Sequence, residues 1–117
     1  MDRFNELTRL YLRRTRDQVL DMERIANTVV RLAGLDAYER LNTLAHGING
    51  SASCFGLPEL GRAAAELEKV TSCRLKYQGE PTATENRRLL RAFERFHAVW
   101  RRIGKEPPAE YCERLRR

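Results

Sequence analysis

DAYERLNTLAHGINGSASCFG, residues 36–56, reads as one amphipathic helix that turns a histidine outward. At about 100° per residue, Leu41, Leu44, Ala45, Ile48, Ala52 and Phe55 fall within roughly 100° of one another, the width of a core-facing stripe. His46 then points about 150° from the middle of that stripe, into water. Glu39, Asn42, Gly50 and Ser53 share its side, with Thr43 and Asn49 flanking it. Glycine costs roughly 1 kcal/mol against alanine in a helix interior, yet Gly47 and Gly50 both sit beside the histidine. Gly50 lies one turn on and away from the apolar stripe, so packing within the molecule does not call for it there. Gly47 lies nearer the flank and leaves two readings open: access to the imidazole, or a close helix contact.

Working outward, helical spacing recurs along the chain and no segment alternates with period two over a useful length. A first helix is expected from Asp2 to Ala33, with Phe4, Leu7, Tyr11, Met22, Ile25, Val29 and Leu32 as its apolar positions. Gly34 would supply a left-handed stop. Asp36 is the expected N-cap of the second helix, with Glu39 completing a capping box, and Gly56 falls just past that helix's end. Pro58 suits the first turn of a third helix, which carries Leu60, Ala63, Ala64, Leu67, Val70 and Thr71, with Gly79 closing the segment. Thr82 and Glu85 form a second capping-box pattern before Leu89, Leu90, Phe93, Phe96, Trp100 and Ile103. Short connections favour antiparallel neighbours, so the expected fold class is all-α, an antiparallel up-and-down four-helix bundle over residues 1–104. Residues 105–117, opening with KEPP, read as a short tail or linker.

The 117 residues are enough for one domain. With 42% hydrophobic and 32% charged residues, the composition suits a compact core rather than disorder. No run reaches the roughly 20 apolar residues of a membrane span, and MDRFNELTRL lacks the apolar region of a secretory signal. A cytoplasmic location is therefore expected. Cys54, Cys73 and Cys112 make an odd, unclustered set that suggests neither a disulfide framework nor a zinc site. The net charge is +6, from 22 Lys and Arg against 16 Asp and Glu. The arginines are interleaved with acids, and no nucleic-acid-binding motif accompanies them, so the charge reads as solvated helix faces. His97, set among Phe93, Phe96 and Trp100, reads as a packed histidine.

An exposed imidazole is a competent nucleophile in its unprotonated form. No Ser/His/Asp constellation or metal set surrounds His46 in the sequence. What the pattern supports is a nucleophile offered to a partner that brings the remaining chemistry.

AHGINGSASCFGLPELGRAAAELE resembles the signature of histidine-containing phosphotransfer (HPt) domains. That pattern runs roughly A-H-x-L/I-K-G-S/A-S/A-x-x, then an apolar residue, G, three free positions and L. The match places His46 at the phosphorylated histidine, Gly50 four residues on and Ser51 beside it, followed by Phe55, Gly56 and Leu60. With the flanking helices the resemblance covers most of residues 4–104, and the family fold is a four-helix bundle. The family's lysine, three residues after the histidine, is Asn49 here. For an exposed pair the lost attraction is about 0.2–1 kcal/mol. Glu68 stands where many members carry a glutamine, and is read either as orienting the imidazole or as a solvated surface glutamate. The lysine-less motif also resembles modules at the N-termini of multidomain response regulators.

The resemblance implies a phosphocarrier rather than an enzyme, exchanging a phosphoryl group on His46 with the aspartate of a receiver domain. It implies no cofactor bound by this chain, with Mg²⁺ expected in the receiver, and no metal ligands of its own. The implied partners are a response-regulator receiver and a hybrid sensor kinase, with neither nucleic acid nor membrane, and the chain is expected to be a monomer. Asn42, Gly47, Asn49, Gly50, Ser53 and Glu68 are the candidates for phosphoryl-neighbouring or docking roles. Leu35, Ala37, Tyr38 and the exposed part of the first helix are candidates for a contact rim, with Leu35 and Tyr38 equally readable as core. The alternative is a degenerate module that docks a receiver or kinase without accepting phosphoryl.

Overall fold

Each segment with helical spacing forms a helix. The computed structural model describes residues 2–29 and 34–104. In chain order these form α1 (Asp2–Val29), α2 (Leu35–Ala52), a 3-10 turn over Ser53–Phe55, α3 (Pro58–Leu75) and α4 (Ala83–Gly104). Among the described residues there is no strand. α2 packs on α3, α3 on α4, and α1 closes the ring against α2 and α4. The result is an antiparallel up-and-down four-helix bundle, with α2 and α4 on opposite sides of the core.

The apolar stripes meet in one cluster. Met22 and Ile25 of α1, Leu41, Ala45 and Ile48 of α2, Leu60 and Leu67 of α3, and Leu89 and Phe96 of α4 are all buried. Burying a Leu, Ile or Phe side chain is worth about 1.5–3 kcal/mol each, so these few residues dominate the assembly. Gly61 of α3 sits in the seam with α2, where a Cβ would fit at ordinary contact distance. A Cβ there would meet the Ala52 Cβ at 3.5 Å and the Asn49 carbonyl oxygen at 3.8 Å.

The helix ends follow local chemistry, with one correction. The expected left-handed stop at Gly34 is not formed: its φ of −117° and ψ of 157° are extended, and it is the N-cap of α2. α2 therefore starts at Leu35, and Asp36 sits inside the first turn, making no capping bond. The Asp36–Glu39 box fails because the helix begins two residues too early for it, with Gly34 rather than Asp36 as its N-cap. The second box does form: the Glu85 amide donates to Thr82 Oγ1 at 3.1 Å, and the Thr82 amide donates to Glu85 Oε1 at 2.8 Å. Gly56, at φ 72°, ends the 3-10 turn in the left-handed region that glycine enters without a Cβ clash. The proposed end of the first helix at Ala33 and the 105–117 tail lie outside the described residues.

Polar side chains stitch the α3–α4 end. The Arg74 guanidinium, 8% exposed, donates to the Tyr77 and Gly79 carbonyls, both at 2.8 Å. Its Nε lies 2.9 Å from Glu85 Oε2 without an aligned N–H, so that contact is an ion pair rather than a hydrogen bond. The buried Tyr38 hydroxyl donates to Asn86 Oδ1 at 2.8 Å, and burial pushes its phenol up to about 12. His97 is packed as expected, stacked on Phe93 and 2.5 Å from Glu23 Oε1 of α1. Cys54 and Cys73 are exposed free thiols.

The two boxes predict different mutational costs. Thr82→Ala should lower unfolding stability by about 1 kcal/mol, the usual cost of a lost N-cap. Asp36→Ala should remove only the few tenths of a kcal/mol that a carboxylate contributes near a helix N-terminus. Urea titration of both variants, read as midpoint shifts at constant slope, measures the contrast.

Candidate functional site around His46

α2 carries His46 on its outer face because Leu41, Ala45, Ile48 and Ala52 fix the opposite face in the core. The imidazole is 74% exposed. A Cβ built on Gly47 or on Gly50 would meet nothing within 4 Å. The close-packing reading of Gly47 is thereby corrected: both glycines leave open surface beside the ring.

The ring is exposed but not free. His46 Nδ1 lies 2.6 Å from Glu68 Oε2, and Asn49 Nδ2 donates to Glu68 Oε1 at 3.1 Å. One carboxylate on α3 thus grips two side chains that project from successive turns of α2. A carboxylate accepts, so in the neutral ring the proton sits on Nδ1 and the lone pair on Nε2, directed away from Glu68. The hydrogen bond from His46, joined by that from Asn49, holds the Glu68 carboxyl below the usual carboxylate range. Of the two readings of Glu68, orienting the imidazole matches its placement.

Asn42 is a correction. Its amide nitrogen faces α3, 3.2 Å from the Glu68 carbonyl, 2.9 Å from Thr71 Oγ1 and 2.8 Å from Ser72 Oγ. Those groups occupy its donors, so it fixes the α2–α3 register on which the Glu68 contact depends, rather than standing ready for phosphoryl oxygens. Ser53 is exposed in the 3-10 turn, about two helical turns past His46. Ser51 donates to the Gly47 carbonyl at 2.8 Å and lies 2.8 Å from the Tyr11 hydroxyl of α1. Tyr11 in turn stacks on Phe55, with ring centroids 4.2 Å apart. At the start of α2, Ala37 is core rather than rim, a correction; Tyr38 takes the core reading that was open for it, and Leu35 is half-buried.

The open apolar surface lies instead on α1. Leu7 and Leu10 are 50% and 59% exposed. With Arg14, Gly47 and Phe55 they line a groove of about 640 Å³ between α1 and α2. The Tyr11–Phe55 stack, which the sequence reading did not identify, forms part of its wall. Its signal was present as an aromatic in the N-terminal half of the first helix and another at the end of the second, two helices expected to be antiparallel.

Among the described residues, no group of three or more His, Cys, Asp or Glu could hold a metal ion. Among the described residues, no helix is long and apolar enough to cross a membrane. The site is one oriented imidazole with a neighbouring carboxylate, an arrangement suited to nucleophilic attack.

The direction of the Glu68 shift sets a pH dependence. A carboxyl held below its unfolded value contributes stability above that unfolded value and loses it as pH falls through the folded one. Glu68→Gln should therefore flatten the acid limb of the stability curve below about pH 4.5, the unperturbed carboxyl value. Thermal melts across the acid range in both proteins measure it.

Among curated proteins and among solved structures, nothing matches the chain. The family model described as "Hpt domain" matches residues 6–99. That span runs from α1 to near the end of α4 and includes His46, Asn49, Gly50 and Glu68. With most of its length matched, and with an outward histidine on the second helix of a four-helix bundle, the chain belongs to the Hpt domain family, whose members carry phosphoryl groups on histidine in two-component signalling.

Proposed function

We propose that this chain is a phosphocarrier that accepts and donates a phosphoryl group at His46 Nε2, in exchange with the aspartate of a receiver domain. The observation that carries this is the 2.6 Å contact between Nδ1 and Glu68, which leaves Nε2 as the outward nucleophile. In transfer, the Nε2 lone pair forms the N–P bond as the P–O bond to the receiver's aspartate breaks. The electron pair of that bond returns to the aspartate carboxylate. Nδ1 keeps its proton, so the ring becomes cationic, and the Glu68 carboxylate beside it offsets that charge. Phosphoryl transfer depends chiefly on positioning and charge stabilisation, and the receiver's own Mg²⁺ would supply the latter on the phosphoryl side. Glu68 is a positioning residue in this scheme.

The receiver would dock across α1 and α2. Leu7 and Leu10 provide an apolar contact, and the bare backbone at Gly47 and Gly50 lets another surface approach the ring. A sensor kinase is the other expected partner class. A second reading, docking without transfer, rests on Asn49. Where the family carries a lysine, Asn49 brings no charge and turns its amide to Glu68.

Incubation with a radiolabelled phosphorylated receiver domain tests both readings, with the acid-labile label mapped by mass spectrometry. Labelling should appear on His46, and His46→Gln should abolish it with the helical circular dichroism intact. Glu68→Ala should slow labelling on the order of tenfold, about 1.4 kcal/mol, with Glu68→Gln between it and the parent. Asn49→Lys should speed labelling up to about fivefold, the upper end for an exposed ion pair. Receiver binding with no label on any residue would favour the docking module.

A further inference from the structure

α4 carries six arginines against two glutamates in 22 residues, so it holds most of the chain's net charge of +6. At about 100° per residue, Arg87, Arg88, Arg91, Arg95, Arg101 and Arg102 fall within an arc of about 140°, turned away from Leu89, Phe96 and Trp100. This face lies across the bundle from the His46 helix. Arg95 and Arg102 pair with Glu66 and Glu59 of α3. Arg88, Arg91 and Arg101 are exposed and have no ionic partner among the described residues.

Beside this face, α3 and α4 enclose a cleft of about 420 Å³, with Val70 and Tyr38 in its lining. Its two acids are already neutralised, Glu66 by Arg95 and Glu85 by Arg74. Lys69 and Arg88, on opposite walls, have no ionic partner among the described residues. Tyr77 stands at the cleft 69% exposed.

We propose that the α3–α4 cleft and the arginine face of α4 form a docking surface for an acidic protein segment, separate from the phosphoryl site. Such a segment would place one apolar side chain over Val70 and Tyr77, and carboxylates on Lys69, Arg88 and Arg91. Arginine's planar fork suits carboxylates, and the face already binds two of them from α3. A protein segment fits better than the other polyanions. A continuous phosphate track would run against Glu59, Glu66 and Glu94, and the apolar part of the cleft at Val70 and Tyr77 offers phosphates nothing. A membrane surface is disfavoured because the large exposed hydrophobics lie on α1 and at Tyr77, not on α4.

The test uses the full chain and a fluorescent peptide of Glu-Glu-Leu repeats at physiological salt, with binding read by anisotropy. The bound peptide should shift amide resonances of Val70, Cys73, Tyr77 and Arg88. Lys69→Glu combined with Arg88→Glu should weaken binding at least about tenfold. Arg13→Glu combined with Arg24→Glu, the same charge change placed on α1, should weaken it far less, and His46→Gln should leave it unchanged. All four reversed positions are exposed, and matching thermal melts would verify intact folding. Absence of binding, equal loss in the two charge-reversal pairs, or tighter binding of duplex DNA or phosphatidylglycerol vesicles through the same residues would each overturn the proposal.

Discussion

The Glu68 carboxylate, shared between His46 and Asn49, is the constraint on which the site rests. An exposed side chain ordinarily samples its rotamers, and fixing it costs entropy. Here a single acceptor on α3 fixes the ring, selects its tautomer and still leaves most of the imidazole in water. The arrangement requires α2 and α3 to hold one register. Ala45, Ile48, Leu67 and Ala64 provide the apolar part of that register, and Asn42, bonded to three groups of α3, provides the polar part. The seam is therefore graded, from a dry interior through an amide bridge to a charged outer edge.

Glycine placement separates two uses of the same residue. Gly61 lies inside the α2–α3 seam, where a Cβ would reach ordinary contact with Ala52 and the Asn49 carbonyl. Gly47 and Gly50 have empty space where a Cβ would go, so nothing within the described chain accounts for their cost of about 1 kcal/mol each in helix propensity. The buried stripe of α2 is strong enough to keep the helix intact despite them. A weakened outer face on a well-anchored helix is what close approach by another surface demands.

The sequence made the bundle legible wherever the governing interactions are local. The apolar spacing of α2, the Pro58 start and the Thr82–Glu85 box all depend on residues within a turn or two of one another. The Asp36 box failed because Gly34, two residues earlier, adopts the extended conformation that caps a helix equally well, and local pattern does not rank the two. At the site, His46 and the glycines were readable from helical phase alone. The roles of Asn42 and Glu68 were not, since both depend on the α2–α3 register, on contacts between residues 19 to 30 positions apart. Asn42 shares a face with His46 by phase, yet its amide turns to α3, because two hydroxyls and a carbonyl there satisfy it better than water.

Charge distribution follows the same division of faces. The histidine helix α2 has one arginine against two acids, whereas α4 has six arginines against two acids. Because these helices lie on opposite sides of the core, the field of the arginine face is largely screened at the imidazole: a bundle's diameter is at least about two Debye lengths at physiological salt. The phosphoryl transfer proposed at His46 would therefore draw on the local carboxylate and on whatever a partner contributes, not on the chain's net charge. A basic protein with a nearly neutral working face can recruit acidic surfaces on one side without altering the nucleophile on the other.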